Sequence, residues 1–174
     1  YVLEGNINYT GAVISWLKND LKLIDSAGET EELAKAANPE DETYLVPAFS
    51  GLGAPYWDSD ARAVISGMSR TTGKNEMVKA ALESIAYQIS DIVKIMKRTA
   101  GLEIAEIRVD GGPTRNHFLM QFQSDILNIP VRVPDAEELS GIGAAYAAGI
   151  AMGIYDQKKL FENVNRTEYK AQMV

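Results

Sequence analysis

The chain contains no cysteine, which excludes disulfide staples and thiolate chemistry. It has a single histidine, His117, from which no Ser–His–Asp arrangement can be argued. Long hydrophobic runs are missing as well. Nothing approaches the ~20 apolar residues of a membrane span, and the opening residues carry no signal-peptide pattern. Positive charge is in deficit. The formal net charge of −7 argues against non-specific nucleic-acid binding. It leaves open a phosphorylated small molecule held by backbone groups, which do not show in a net charge. No internal repeat and no low-complexity segment occurs. What is present is ordinary for a globular chain: 174 residues, 46% of them apolar, enough for one domain with a sizeable core. These features suit a cytoplasmic location. The chain opens on YVLEG and closes on RTEYKAQMV, and both ends read as cut from a longer protein.

Hydrophobic periodicity lays out the elements. A short strand is predicted over 1–5 and a helix over 11–23, with Val13, Ile14, Leu17 and Leu21 on its apolar side. The polar stretch 25–43 holds a short surface helix ended by Asn38 and Pro39. A strand over 44–49 is interrupted by Pro47; a glycine- and proline-punctuated loop follows over 50–60, then a strand over 63–69. The longest helix spans 74–99. Met77, Ala81, Ile85, Ile89, Ile92 and Met96 step along it by three and four, and Gly101 closes it. A strand over 106–110 leads to a helix capped by Thr114 and running to about Leu127, then to a strand over 131–133. Ser140 caps a last helix of small residues, packed close to the sheet. Strand and helix alternate in the second half, which implies a mostly parallel sheet covered by helices, an α/β class.

The stretch IRVDGGPTRN, 107–116, carries the most chemistry. A strand ends at Asp110, and Gly111 and Gly112 stand where it hands over to a helix. Glycine lets backbone approach a ligand closely and adopt φ > 0. Free N–H groups at a helix start attract anions. Asn116 falls in the first turn, tilted toward the same cleft, and its amide offers donors and an acceptor to a base or ribose. An ordinary tight βα turn would use the same two glycines. Asp58 and Asp60 could hold magnesium or cap their own turn. The GIG run at 141–143 lacks the third glycine of a dinucleotide fingerprint, Tyr146 standing there instead.

Four longer stretches change the weight of these signals. AVISGMSRTTGKNEMVKAALE (63–83) resembles the second signature of the FGGY carbohydrate kinases: Ala63, Ile65, Gly67-Met68, then Glu76-Met77 and Ala80-Ala81-Leu82-Glu83. VPAFSGLGAPYWD (46–58) is similar to the central loop of the family's glycerol kinase branch. RVDGGPTRNHFLMQFQSDIL (108–127) and GIGAAYAAG (141–149) resemble that branch's nucleotide segment and final helix. The resemblance covers nearly the whole chain, in order.

The resemblance implies an actin-like, ribonuclease H-like fold, present here in part, with a mixed sheet and helices packed on it. Residues 1–174 would be the nucleotide-binding C-terminal domain, lacking the substrate domain. It implies ATP with magnesium, transfer of the γ-phosphoryl to a primary hydroxyl of a polyol such as glycerol, and a homo-oligomeric parent enzyme. Xylulose-type kinases are the alternative within the family, and for the chain by itself an inert nucleotide-binding module. Gly112 would meet the phosphate region, beside Gly111, and Asn116 the adenine. Gly11 falls at a nucleotide-contacting glycine, and Ser15 stands where a glutamine is usual. Pro113-Thr114-Arg115 replaces a small apolar triplet, and Arg115 faces either phosphate or solvent. The catalytic base would lie upstream of Tyr1, leaving no catalytic residue in this chain, and no metal ligand is assigned within it. Glu83 is a constrained signature position.

Overall fold

The computed structural model of the chain describes residues 2–135, 139–157, 160 and 165–173. Its helices are α1 (Gly11–Asn19), α2 (Thr30–Lys35), α3 (Lys74–Ala100), α4 (His117–Leu127) and α5 (Leu139–Ala151). Short 3-10 turns precede α2 (Ala27–Glu29) and α4 (Gly112–Arg115). At the centre lies α3, 27 residues long, which at 1.5 Å per residue is about 40 Å. Its start is fastened by Glu76: Oε2 accepts the Gly73 N–H at 2.9 Å and Oε1 accepts the Asn38 N–H at 2.9 Å. Its end is fixed by Gly101 at φ 64, the left-handed cap that glycine adopts without a Cβ penalty. Lys97 and Arg98 in the last turn complement the dipole there.

Two small sheets flank this helix. β1 (Tyr44–Val46) pairs antiparallel with β2 (Val64–Ser66), Leu45 opposite Ile65. The second sheet has the order β3 (Ile107–Arg108), β4 (Val131–Pro134), β5 (Arg166–Tyr169). β3 and β4 are parallel and joined through α4; β4 and β5 are antiparallel. Two apolar clusters meet on α3. Val13, Leu17, Ile24 and Leu45 pack against Val78, Ala80 and Ala81. Ala34, Leu119, Met120, Phe122 and Val131 pack against Leu82, Ile85 and Ala86. Fully burying each leucine among them is worth about 1.5–3 kcal/mol.

The loop between β1 and β2 is tied to this frame. Tyr56 Oη donates to Asp91 Oδ2 on α3 at 2.7 Å. Asp58 Oδ1 accepts the N–H groups of Asp60 and Ala61 at 2.9 and 3.0 Å, so Asp58 caps its own turn.

Several expectations need correction. Residues 2–5 form no strand; among the described residues no strand lies beside them, and Gly5 instead runs close to Ile92. α1 stops at Asn19, because Lys22 at φ 56 turns the chain so that Ile24 can bury. The cap of α4 is Asn116, not Thr114: Asn116 Oδ1 accepts the Leu119 N–H at 2.9 Å, while Thr114 Oγ1 donates back to Gly111 O at 2.7 Å. α5 begins at Leu139, so Ser140 is inside it rather than its cap. α5 is also largely exposed rather than packed on the sheet; Gly149 is covered by Tyr155. The second sheet is mixed, as the family resemblance implies and the strand–helix alternation alone does not: β5, a strand the polarity of RTEY concealed, runs antiparallel. α2 is less a surface helix than expected, with Thr30 and Ala34 buried.

Candidate functional site

A cleft of about 480 Å³ opens where the start of α1, the turn into α2, the middle of α3 and the start of α4 converge. Its floor is apolar: Ile14, Leu82, Ile85 and Leu119. Its rims are backbone and polar groups, among them Gly11, Ser15, Gly28, Thr30, Glu31, Gly112, Arg115 and Asn116. An apolar slot of this size with a few convergent polar groups is the usual form of a small-molecule site. The glycines on the rim are not required by packing. A Cβ built at Gly11 or Gly112 meets nothing within 4 Å, so what their small size keeps open is the cleft itself.

One end of the cleft is organised by hydrogen bonds between α2 and α4. Asn116 Nδ2 donates to Thr30 Oγ1 at 3.1 Å, and Thr30 Oγ1 donates to Ala27 O at 2.7 Å. Glu31 Oε2 accepts the His117 N–H at 2.9 Å, and Glu31 Oε1 pairs with Lys35 Nζ at 2.5 Å. Burial would raise the Glu31 carboxyl, but Lys35 and the His117 N–H together hold it below the usual carboxylate range. Glu31 is therefore ionised at neutral pH. His117 Nδ1 bonds Tyr169 Oη at 2.5 Å, which joins β5 to the same corner. Burial first and the Glu31 charge second push the Tyr169 hydroxyl up.

The structure brings Gly11, Ser15, Gly112 and Asn116 together on this cleft. Gly111 is not among its lining residues. It stands just before, at φ 97, with its carbonyl accepting from Thr114 N at 3.0 Å. Arg115 is exposed and also lines the cleft. Gly28, Thr30 and Glu31 escaped the sequence reading, because the polar run 25–43 carries no apolar stripe. A signal was available: S-A-G-E at 26–29 is a capping-box pattern, and Glu29 Oε1 accepts the Ser26 N–H at 2.8 Å. Glu83 lies outside the cleft. It is buried, 3.8 Å from Lys79 Nζ, and desolvation raises its carboxyl pKa against the pull of Lys79.

A long central helix between small sheets, with a glycine-rimmed cleft at helix starts, fits the actin-like, ribonuclease H-like fold that the resemblance implies. Comparison with known proteins agrees. The family profile described as "FGGY family of carbohydrate kinases, C-terminal domain" matches residues 1–152, and the chain belongs to that family. A glycerol kinase of Staphylococcus epidermidis is 44% identical over 178 residues, covering 99% of this chain and 35% of its own length. One of Streptococcus pyogenes is 45% identical over 175 residues, with 99% and 35% covered. The chain thus spans about a third of the length of these relatives. The crystal structure of Plasmodium falciparum glycerol kinase with ADP superposes with a TM-score of 0.83 at 38% identity, covering 94% of this chain and 33% of that one. A ligand-bound xylulose kinase from Lactobacillus acidophilus shares the fold, with a TM-score of 0.73 at 23% identity over 93% of this chain and 34% of its own.

Proposed function

We propose that this chain is the nucleotide-binding C-terminal domain of an enzyme that transfers the γ-phosphoryl of Mg·ATP to a primary hydroxyl of glycerol. The proposal rests on the convergence of Gly11, Ser15, Gly112 and Asn116 on one cleft. The glycerol kinase relatives and the ADP-bound homologue support it. The ionised Glu31 disfavours phosphate at its end of the cleft, so the nucleoside lies toward Asn116. The phosphates lie toward Gly112 and Arg115, where the missing Cβ of Gly112 leaves room for them. Among the described residues no group of three or more His, Cys, Asp or Glu is placed to hold a metal ion. Magnesium would enter as the Mg·ATP complex, carried on the nucleotide phosphates with several of its waters.

Phosphoryl transfer depends mainly on positioning and charge stabilisation. This domain's share is to hold the nucleotide. The base that activates the hydroxyl, and the polyol's own contacts, come from outside these residues. Closure of the two domains would exclude water, the competing acceptor. No helix among the described residues is long and apolar enough to cross a membrane, and we place the enzyme in the cytoplasm, where its ATP is. Exposed apolar side chains such as Val64 and Ile154 fit a homo-oligomer.

The test is a coupled ADP-release assay on the full-length gene product with glycerol, xylulose, ribulose and gluconate, with this chain alone as the blank. Strong preference for glycerol and a silent blank are expected. Preference for a ketose would overturn the substrate while keeping the nucleotide site.

A further inference from the structure

We infer that Thr30 is a positioning residue of the nucleotide site, fixing the orientation of the Asn116 amide and with it a preference for adenine over guanine nucleotides. The inference rests on the proposal that the nucleoside lies against Asn116.

An Asn side chain presents a donor and an acceptor that exchange places when the amide turns over. Here two anchors specify the same orientation. As the cap of α4, Asn116 Oδ1 accepts the Leu119 N–H at 2.9 Å, a role that nitrogen cannot fill. On the other side, Thr30 Oγ1 is 2.7 Å from Ala27 O. A carbonyl only accepts, so the Thr30 proton is committed there. The hydroxyl can then only accept from Asn116, whose Nδ2 lies 3.1 Å away. Thr30 is 2% exposed, so water does not stand in for it.

The relay Ala27 O, Thr30 hydroxyl, Asn116 amide leaves one Nδ2 hydrogen and one Oδ1 lone pair uncommitted, in a fixed order. Adenine offers an amino donor beside a ring acceptor, the complement that Asn reads in a bidentate pair. Guanine offers O6 and N7 at the same edge, both acceptors. With one Nδ2 hydrogen held by Thr30, the amide presents one donor and one acceptor in a fixed order, which matches adenine; released from Thr30, it can turn both Nδ2 hydrogens toward the two acceptors of guanine and discriminates less.

Calorimetric titration of the full-length gene product with ATP and with GTP tests this independently of the polyol. Thr30→Val should reduce the ATP-over-GTP preference about five- to tenfold, and Thr30→Ser should retain it. In an Asn116→Ala background, Thr30→Val should change the ratio no further, because the two act as one unit. Additive effects would overturn the inference, showing that Thr30 acts other than through Asn116. So would an unchanged ratio in Thr30→Val beside a lowered ratio in Asn116→Ala. If neither variant alters ATP binding, the nucleotide does not lie against Asn116, and the proposal beneath the inference fails with it. Should Thr30→Val not fold, Thr30→Cys keeps a similar volume with a weaker acceptor and is read the same way.

Discussion

Gly67 and Gly112 answer a new side chain in opposite ways. At Gly67 a Cβ would lie 1.9 Å from Glu42 O, and φ is +78; the residue is glycine because the β2 turn requires it. At Gly112 a Cβ meets nothing within 4 Å, and the space it would take belongs to the cleft. Gly112→Val in the full-length product should therefore raise the KM for ATP about tenfold, roughly 1.4 kcal/mol, with the KM for glycerol and the Tm little changed. Steady-state kinetics with each substrate varied in turn will show it. Equal rises in both KM values would mean that Gly112 serves the fold alone. At this scale the sequence was readable where the signal is local: Gly112 and Asn116, picked out as a glycine before a helix and an Asn close behind, both line the cleft, while Gly111 does not. It was misleading where a partner lies far along the chain. Asn116 meets Thr30, 86 positions away, and nothing near either residue announces the other.

At the scale of elements, Glu76 joins pieces that are distant in sequence. Its carboxylate takes N–H groups from Asn38 and Gly73, so the start of α3 holds the chain leaving α2. The Asn38 N–H, then the N–H groups of Glu76 and Gly73, pull its pKa below the usual range. A depressed pKa in the folded state means stability fully present above the unfolded value, about 4.3, and lost as pH falls through the folded one. Glu76→Gln should cost about 1–2 kcal/mol at pH 7, and the gap from the wild type should close below about pH 4. Urea titrations of both proteins at a series of pH values check it; a gap constant with pH would remove the carboxylate from the account. α3 itself was legible end to end, because a stripe at helical period and a closing glycine are local signals. α4 was misplaced at its start, where a 3-10 turn intervenes and Thr114 bonds backward. β5 was invisible, since its exposed position lets it be polar: Glu168 meets Arg132 across the ladder at 3.2 Å.

For the whole molecule, charge and exposed apolar surface oppose each other. A net charge of −7 keeps copies apart. Val46 and Val64 on the β1–β2 ribbon and Met152 and Ile154 after α5 stand largely uncovered, and sheet edges invite pairing. The isolated chain should self-associate, more so as salt rises and the Debye length shrinks from about 30 Å at 0.01 M to about 8 Å at 0.15 M. Sedimentation velocity at several concentrations and ionic strengths measures this; a clean monomer throughout would show that these surfaces do not attract one another.

The run of α3 through both apolar clusters has a consequence for how the chain comes apart. Val78, Ala80 and Ala81 belong to one cluster, and Leu82, Ile85 and Ala86, in the next turns, to the other. Neither half can loosen without fraying the helix on which its neighbour rests. The chain should lose its structure in one cooperative step, and the amides of α3 between the clusters should be the last to exchange their hydrogens with solvent.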